Sequence, residues 1–261
     1  MTPPRVVASD LDGTLVRSDG TISRRSRRAL RAVEEAGATV VFVTGRPPRW
    51  MAPVVEQTGA SGLAICANGA LIYDLGRGEV VREHHLRPDA AARLVSAIRE
   101  RLPGVTFAVE RGLEFGHEPA YVPGVRGAAQ RVAEVDELVA GPVAKLLVKH
   151  PEHGAEAIHE IVVGLAGEEA VVTYSGTALL EVSGAGVSKA STLEALCAER
   201  DVAAAAVVAF GDMPNDVPML RWAGHSVGVA NAHASVLAVV DEVTASNDDD
   251  GVARVLERLF G

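Results

Sequence analysis

Cysteine is scarce in this 261-residue chain, with Cys66 and Cys197 the only two. Two are too few for a disulfide framework or a thiolate metal site. Each sits among apolar neighbours, Ala64-Ile65-Cys66-Ala67 and Leu196-Cys197-Ala198, where a small buried thiol is expected. Long hydrophobic runs are missing as well. Hydrophobic residues make up 48% of the chain, yet charges and glycines interrupt every apolar stretch. None approaches the ~20 residues that a membrane-spanning helix needs. The opening Met1-Thr2-Pro3-Pro4-Arg5 carries no signal-peptide core, so the expectation is a cytoplasmic protein, monomeric or homodimeric. An excess of positive charge is the third absence. A net charge of -9 argues against nucleic acid and anionic membranes as partners. The basic cluster Arg24-Arg25-Ser26-Arg27-Arg28 reads as the solvated start of a helix.

What is present is an alternation of strands and helices. Val6-Val7-Ala8 is a short apolar run ending at Ser9-Asp10. Ser23 can cap a helix that Gly37 ends, with Leu30 and Val33 on its buried side. Thr39-Val40-Val41-Phe42-Val43 reads as a strand buried on both faces, and Pro47-Pro48 suit the start of the next helix. The rhythm resumes late in the chain. A helix from Ser188 to Arg200, a strand over Ala206–Phe210, a helix from Val217, a strand at Ser226–Val229 and a closing helix from Gly251 follow one another. Such alternation predicts right-handed crossovers and a parallel sheet, an α/β Rossmann-like core of three α/β/α layers. Between these stretches the texture changes to longer helices and isolated strands, with flexible seams near His84–Pro88 and Ser183–Gly186. The expectation is a core of residues 1–84 and 185–261, with an α+β domain of residues 85–184 inserted in it.

Four signals lie at strand ends. Asp10-Leu11-Asp12-Gly13-Thr14-Leu15 follows the first strand, where ligands bind in an open α/β sheet. An isolated Asp-x-Asp is more often an exposed acidic turn. Gly211-Asp212-Met213-Pro214-Asn215-Asp216 follows another apolar strand, and two acidic strand ends in one sheet repel each other unless a cation binds. Oxygen-only ligands point to Mg²⁺ and away from Zn²⁺. Thr44-Gly45-Arg46 offers a hydroxyl, backbone N–H groups and a helix start to an anion, though a plain strand-to-helix turn would look the same. Lys189 opens a helix, the wrong end for a cation. Neighbouring carboxylates and a bound phosphate would justify it; a solvated lysine is the simpler alternative. Four such signals in a row at strand ends of one sheet are much stronger than any alone.

These residues resemble the haloacid dehalogenase-like hydrolases, in particular Cof-type phosphatases with a large α/β cap. Asp10–Leu15, Thr44–Arg46, Lys189 and Gly211–Asp216 match the four motifs in order, with the cap inserted between the second and third. Ala67-Asn68-Gly69-Ala70 and the tail Ser246-Asn247-Asp248-Asp249-Asp250-Gly251-Val252 are similar to further family signatures. The resemblance implies a phosphatase for small phosphorylated metabolites such as sugar phosphates, with Asp10 as nucleophile through an aspartyl-phosphate. It implies Mg²⁺ held by the Asp10 carboxylate, the Asp12 backbone carbonyl and Asp212, with Asp216 supporting from behind. Asp12 becomes the acid–base residue, and Lys189 orients Asp10 and binds phosphoryl oxygens. Thr44, Gly45 and Asn215 contact phosphate, and Arg46 and Asn68 touch substrate. A phosphomutase or phosphotransferase, and a non-catalytic phosphometabolite sensor, are the alternatives; the complete acidic set speaks against the sensor. Outside the motifs, Trp50 and Trp222 are expected to be packing residues rather than stacking platforms. Arg126, Lys145 and Lys149 could meet a second anionic group, but solvated surface is the simpler reading. The eight histidines form no ligand pattern.

Overall fold

A computed structural model describes residues 3–124 and 130–261; Arg126 lies outside the described residues. The chain opens with strand β1 (Val6–Ser9), helix α1 (Arg24–Glu35), β2 (Thr39–Val43), α2 (Ala52–Thr58), β3 (Leu63–Cys66), β4 (Leu71–Asp74) and β5 (Glu79–Glu83). It continues through α3 (Pro88–Arg101), β6 (Thr106–Arg111), β7 (Glu114–His117), β8 (Gln130–Val132), α4 (Val135–Val139), β9 (Lys145–Lys149), α5 (Ala155–Ala166), β10 (Ala170–Thr173) and β11 (Leu180–Gly184). It closes with α6 (Lys189–Ala198), β12 (Val207–Gly211), α7 (Val217–Trp222), β13 (His225–Gly228), α8 (Ala234–Leu237), β14 (Glu242–Val243) and α9 (Gly251–Phe260). Two compact units result. One joins the residues up to Val81 to Lys189–Gly261, and the other is Arg82–Ser188.

The first unit is built on an eight-stranded sheet in the order β14-β13-β12-β1-β2-β3-β4-β5. The pairs from β14 to β3 are parallel, whereas β4 runs antiparallel to β3, so the sheet is mixed at one end. The parallel core ends there because Ala67–Ala70 is a tight turn that returns the chain directly, with no crossover helix. Every residue of β1 and β12 is buried, as continuous apolar runs between two layers should be. The β2 run is buried only from Val41 onward; Thr39 is exposed. Ser23 caps α1, its hydroxyl accepting from the Ser26 N–H. Ala29, Leu30 and Val33 form the buried stripe of that helix. Leu193, Leu196, Met219 and Leu220 of α6 and α7 pack with Val6, Val41 and Ile65 of the strands. Each fully buried Leu or Val there contributes about 1.5–3 kcal/mol. Trp222 is partly buried against this core. Trp50, in contrast, is 37% exposed, with the Arg49 guanidinium 5.2 Å from its ring centre. It follows two buried prolines, Pro47 and Pro48, at the point where the short turn Pro48–Trp50 reaches the surface.

The strand order carries the functional consequence. From β1 the chain adds β2 and β3 on one side, then later adds β12, β13 and β14 on the other. The order reverses between β1 and β12, which is where open α/β sheets form a crevice beyond their carboxyl ends.

The second unit has a six-stranded sheet, β10-β11-β9-β6-β7-β8, antiparallel except between β7 and β8. Leu94, Ile98, Ile158 and Val162 of α3 and α5 pack on one face, against Phe107, Val109, Leu146 and Val148. Lys145 is not solvated surface. It is 3% exposed and lies 2.5 Å from the Glu181 carboxylate, which also accepts from the Ser175 hydroxyl at 2.6 Å. A buried charge needs a partner, and Glu181 meets that need across β9 and β11. Lys149 is half-buried, donates to the Val122 carbonyl at 3.1 Å and lies over the Tyr121 ring.

Candidate active site

Asp10 is the first residue beyond β1, Thr44 beyond β2, Asn68 two beyond β3, and Asp212 beyond β12. The apolar runs end where they do because the strands leave the core, and polar residues take over at the crevice.

Lys189, 1% exposed, is the hub. Its ammonium donates to Asp10 Oδ1 at 2.5 Å and to Asp216 Oδ1 at 2.6 Å. The other Asp216 oxygen accepts from the N–H groups of Asp212 (3.1 Å) and Met213 (3.0 Å). Asp216 therefore holds both the lysine and the backbone that presents Asp212. Asp212 is fixed from a third direction by the Thr14 hydroxyl, which donates to Oδ1 at 2.6 Å. Two close approaches require glycine. A Cβ on Gly13 (φ +79°) would lie 2.4 Å from Asp212 Oδ2, and one on Gly211 would lie 2.6 Å from the Asp216 Cβ.

One oxygen from each of Asp10, Asp212 and Asp216 lies within 4.8 Å of the others. Burial, reinforced by the charges of Asp216 and Asp212, pushes the Asp10 carboxyl well above the usual range, although Lys189 opposes this. Burial and the Asp216 charge push Asp212 up to about 6, against the Thr14 hydrogen bond and Lys189. Burial alone would lower the Lys189 ammonium, but Asp10 and Asp216 outweigh it and hold it above its ordinary value. With every group ionised, three carboxylates against one ammonium leave an excess of two negative charges. A divalent cation would cancel that excess, and an all-oxygen donor set suits a hard one. The residues thus fit a metal ion.

Asp12 stands apart from this group. Its side chain is 58% exposed and is held by Arg46, with Nε to Oδ2 at 2.7 Å and Nη2 to Oδ1 at 2.6 Å. This ion pair was not legible in the sequence, where the two residues belong to separate motifs. The Thr44 hydroxyl accepts from the Arg46 N–H at 3.0 Å, which leaves its own proton for another acceptor. Gly45 is half-buried between them. Asn68 sits in the left-handed region at φ 58°, its Oδ1 accepting from Asn215 Nδ2 at 3.0 Å. Asn68 Nδ2 and Asn215 Oδ1 are buried without a hydrogen-bond partner, which marks them as groups prepared for a ligand. Asp10, Lys189, Asp212 and Asp216 are thus brought together, Asp12 and Arg46 pair with each other, and Thr44, Asn68 and Asn215 lie at the neighbouring strand ends. Sequence reasoning gave no role to Thr14, although it lies inside the first acidic motif. Asn231, which reaches the Gly13 carbonyl at 2.8 Å, had no signal at all.

The sequence profile of the haloacid dehalogenase-like hydrolases matches residues 7–256. Among curated relatives, the 5-amino-6-(5-phospho-D-ribitylamino)uracil phosphatase YitU of Bacillus subtilis is 27% identical, spanning 99% of this chain and 98% of its own. The pyridoxal phosphate phosphatase YbhA of Escherichia coli is 28% identical over 97% of each. Among solved structures, TM0651 from Thermotoga maritima superposes with a TM-score of 0.78 at 27% identity, covering 99% of this chain and 97% of its own. The phosphatase BT1666 from Bacteroides thetaiotaomicron has the same fold, with a TM-score of 0.83 at 24% identity over 98% and 95%. With the motif residues gathered at one crevice and this likeness along nearly the whole chain, the protein belongs to the haloacid dehalogenase-like hydrolases, as an enzyme of their Cof-type phosphatase branch.

Proposed function

We propose that this enzyme is a Mg²⁺-dependent phosphomonoester hydrolase for small phosphorylated metabolites, sugar phosphates and similar compounds, working through an aspartyl-phosphate on Asp10. The observation that carries the reading is the buried Asp10 carboxylate, fixed at one oxygen by Lys189 and flanked by Asp212 and Asp216. Both curated relatives named above are phosphatases whose names specify phosphate esters of small polar molecules.

Mg²⁺, held by the carboxylates of Asp10 and Asp212 and the backbone carbonyl of Asp12, would supply charge neutralisation that lets a carboxylate meet a phosphate dianion. Lys189 binds Asp10 Oδ1 and so leaves Oδ2 as the attacking atom. Oδ2 forms a bond to phosphorus while the bond from phosphorus to the leaving oxygen breaks. Asp12, released from Arg46, gives that oxygen its proton. Asp12 then takes a proton from water as the water oxygen bonds to phosphorus; the bond to Oδ2 breaks, and inorganic phosphate leaves. The Thr44 hydroxyl, the Gly45 backbone and the Asn215 amide hold phosphoryl oxygens as charge redistributes. Arg46 and Asn68 hold substrate, and Asp216 keeps Asp212 and Lys189 in place. In this reading residues 1–84 and 185–261 perform the chemistry, residues 85–184 select the substrate, and the enzyme works in the cytoplasm. Among the described residues, no helix is long and apolar enough to cross a membrane.

The test is a turnover screen over phosphorylated sugars, nucleotides, cofactor precursors and glycolytic acids, with and without a chelator. Release of inorganic phosphate that stops on chelation and returns with Mg²⁺ is expected. Formation of an isomer without phosphate release would assign a mutase, and metal-independent turnover would rule the mechanism out.

A further inference from the structure

The tail motif Ser246–Val252 takes no part in the chemistry above, yet it is tied to the loop that carries Asp12 and Thr14. Asn247, 6% exposed, donates its side-chain amide to the Val16 carbonyl at 2.9 Å. Its backbone N–H donates to Asn231 Oδ1 at 3.0 Å, and Asn231 Nδ2 donates to the Gly13 carbonyl at 2.8 Å. One buried asparagine thus grips both ends of the Gly13–Val16 turn, directly at Val16 and through Asn231 at Gly13. Farther along, Asp248 accepts from the Ser18 N–H and hydroxyl at 2.9 and 2.8 Å, and Asp250 pairs with Arg17 at 2.7 Å. Asp250 takes a left-handed conformation at φ 60°, which aspartate tolerates better than most side chains.

The turn held in this way touches the acidic centre at two points. Gly13 lies hard against Asp212 Oδ2, and the Thr14 hydroxyl holds Asp212 Oδ1. Displacing the turn would therefore rotate or release the Asp212 carboxylate and carry Asp12 with it.

We propose that Asn247 is a positioning residue for the acidic centre, fixing the Gly13–Val16 turn so that Asp212 and Asp12 keep the geometry that metal binding and turnover require. The proposal rests on the phosphatase reading for its kinetic arm alone. Residues that orient metal ligands from behind change metal affinity or activity by roughly 10- to 100-fold when removed.

The experiment compares Asn247→Ala with Thr244→Val. The latter removes a hydrogen bond in the same segment, from the Thr244 hydroxyl to the Gly251 carbonyl at 2.9 Å, but leaves the Gly13–Val16 turn gripped. Two quantities are read: the Mg²⁺ concentration giving half-maximal thermal stabilisation, and kcat with KM. For Asn247→Ala, the Mg²⁺ midpoint rises about 10-fold or more and kcat falls about 10- to 100-fold, while KM stays within about twofold. Thr244→Val leaves both at wild-type values. Should Asn247→Ala fail to fold, Asn231→Ala, at an exposed position, cuts only the Gly13 link and is expected to move both quantities the same way. An unchanged Mg²⁺ midpoint and kcat in the folded variant overturns the proposal, as does an equal shift in Thr244→Val. A wild-type enzyme that binds Mg²⁺ but releases no phosphate would sink the phosphatase reading and leave the metal-binding comparison intact.

Discussion

Arg46 holds Asp12 in a two-point fork, with both carboxylate oxygens engaged at 2.6 and 2.7 Å. A guanidinium presents two parallel N–H groups in fixed geometry, whereas a lysine offers one point of charge. In Arg46→Lys the charge survives, but the fork that places Asp12 before its release to the leaving oxygen does not. Turnover of alkyl phosphates, whose leaving oxygen needs a proton, is expected to fall about 10-fold or more. Turnover of nitrophenyl phosphate is expected to fall much less. Equal losses on the two substrates, measured as kcat/KM, would separate Arg46 from proton transfer.

Removing the acid–base group itself should split the two half-reactions. Asp12→Asn is expected to lower steady-state hydrolysis of alkyl phosphates by about 10²- to 10⁴-fold. With a nitrophenyl ester the first step needs no proton, so phosphorylated enzyme should accumulate because water is no longer deprotonated. Acid quenching with radiolabelled substrate detects it; absence of phosphoenzyme alongside full turnover would contradict the role.

Lys189 is 1% exposed between two carboxylates, so its loss leaves uncompensated buried charge. Lys189→Met is expected to destabilise the metal-free protein by about 3 kcal/mol or more in urea unfolding. Mg²⁺ should then stabilise the variant more than the wild type, because the excess negative charge rises from two to three. A variant as stable as wild type without metal would contradict the buried-charge argument.

The acidic centre also predicts a pH dependence. Asp212 sits at about 6 in the metal-free fold, above its ordinary value of 3.8. Between those values the folded protein binds more protons than the unfolded chain, so stability falls as pH rises through that window. The Asp212 contribution is on the order of 3 kcal/mol in full. Asp212→Asn should flatten that slope and raise metal-free stability near neutral pH. Mg²⁺ competes with the same protons, so its apparent affinity should weaken as pH drops below about 6. Thermal unfolding with chelator and with Mg²⁺ checks both; a metal-free wild type that gains stability from pH 4 to 7 through this centre would contradict the assignment.

The core was legible where local pattern and burial coincide. The runs Val6–Ala8 and Val207–Phe210 are fully buried, and their ends lead to Asp10 and Asp212. Strand β5 escaped notice because Glu79–Glu83 lies at a sheet edge with its side chains largely solvated, so no apolar alternation betrays it. Lys145 read as surface because its identity suggests solvent, while its burial depends on Glu181, 36 residues away. The Arg46–Asp12 fork and the Asn231–Gly13 contact failed to register for the same reason. Each joins residues distant in the chain, and a single sequence gives the residue types but not the pairing.

The account stands on Asp10 as the atom donor to phosphorus, and rapid quenching of the enzyme with Mg²⁺ and a phosphate ester, followed by peptide mapping, tests it most directly. One phosphoryl group on Asp10, and none in an Asp10→Asn variant that folds but does not turn over, is the predicted result. Turnover by Asp10→Asn at the wild-type rate, or a phosphoryl group mapped to another residue, would contradict it.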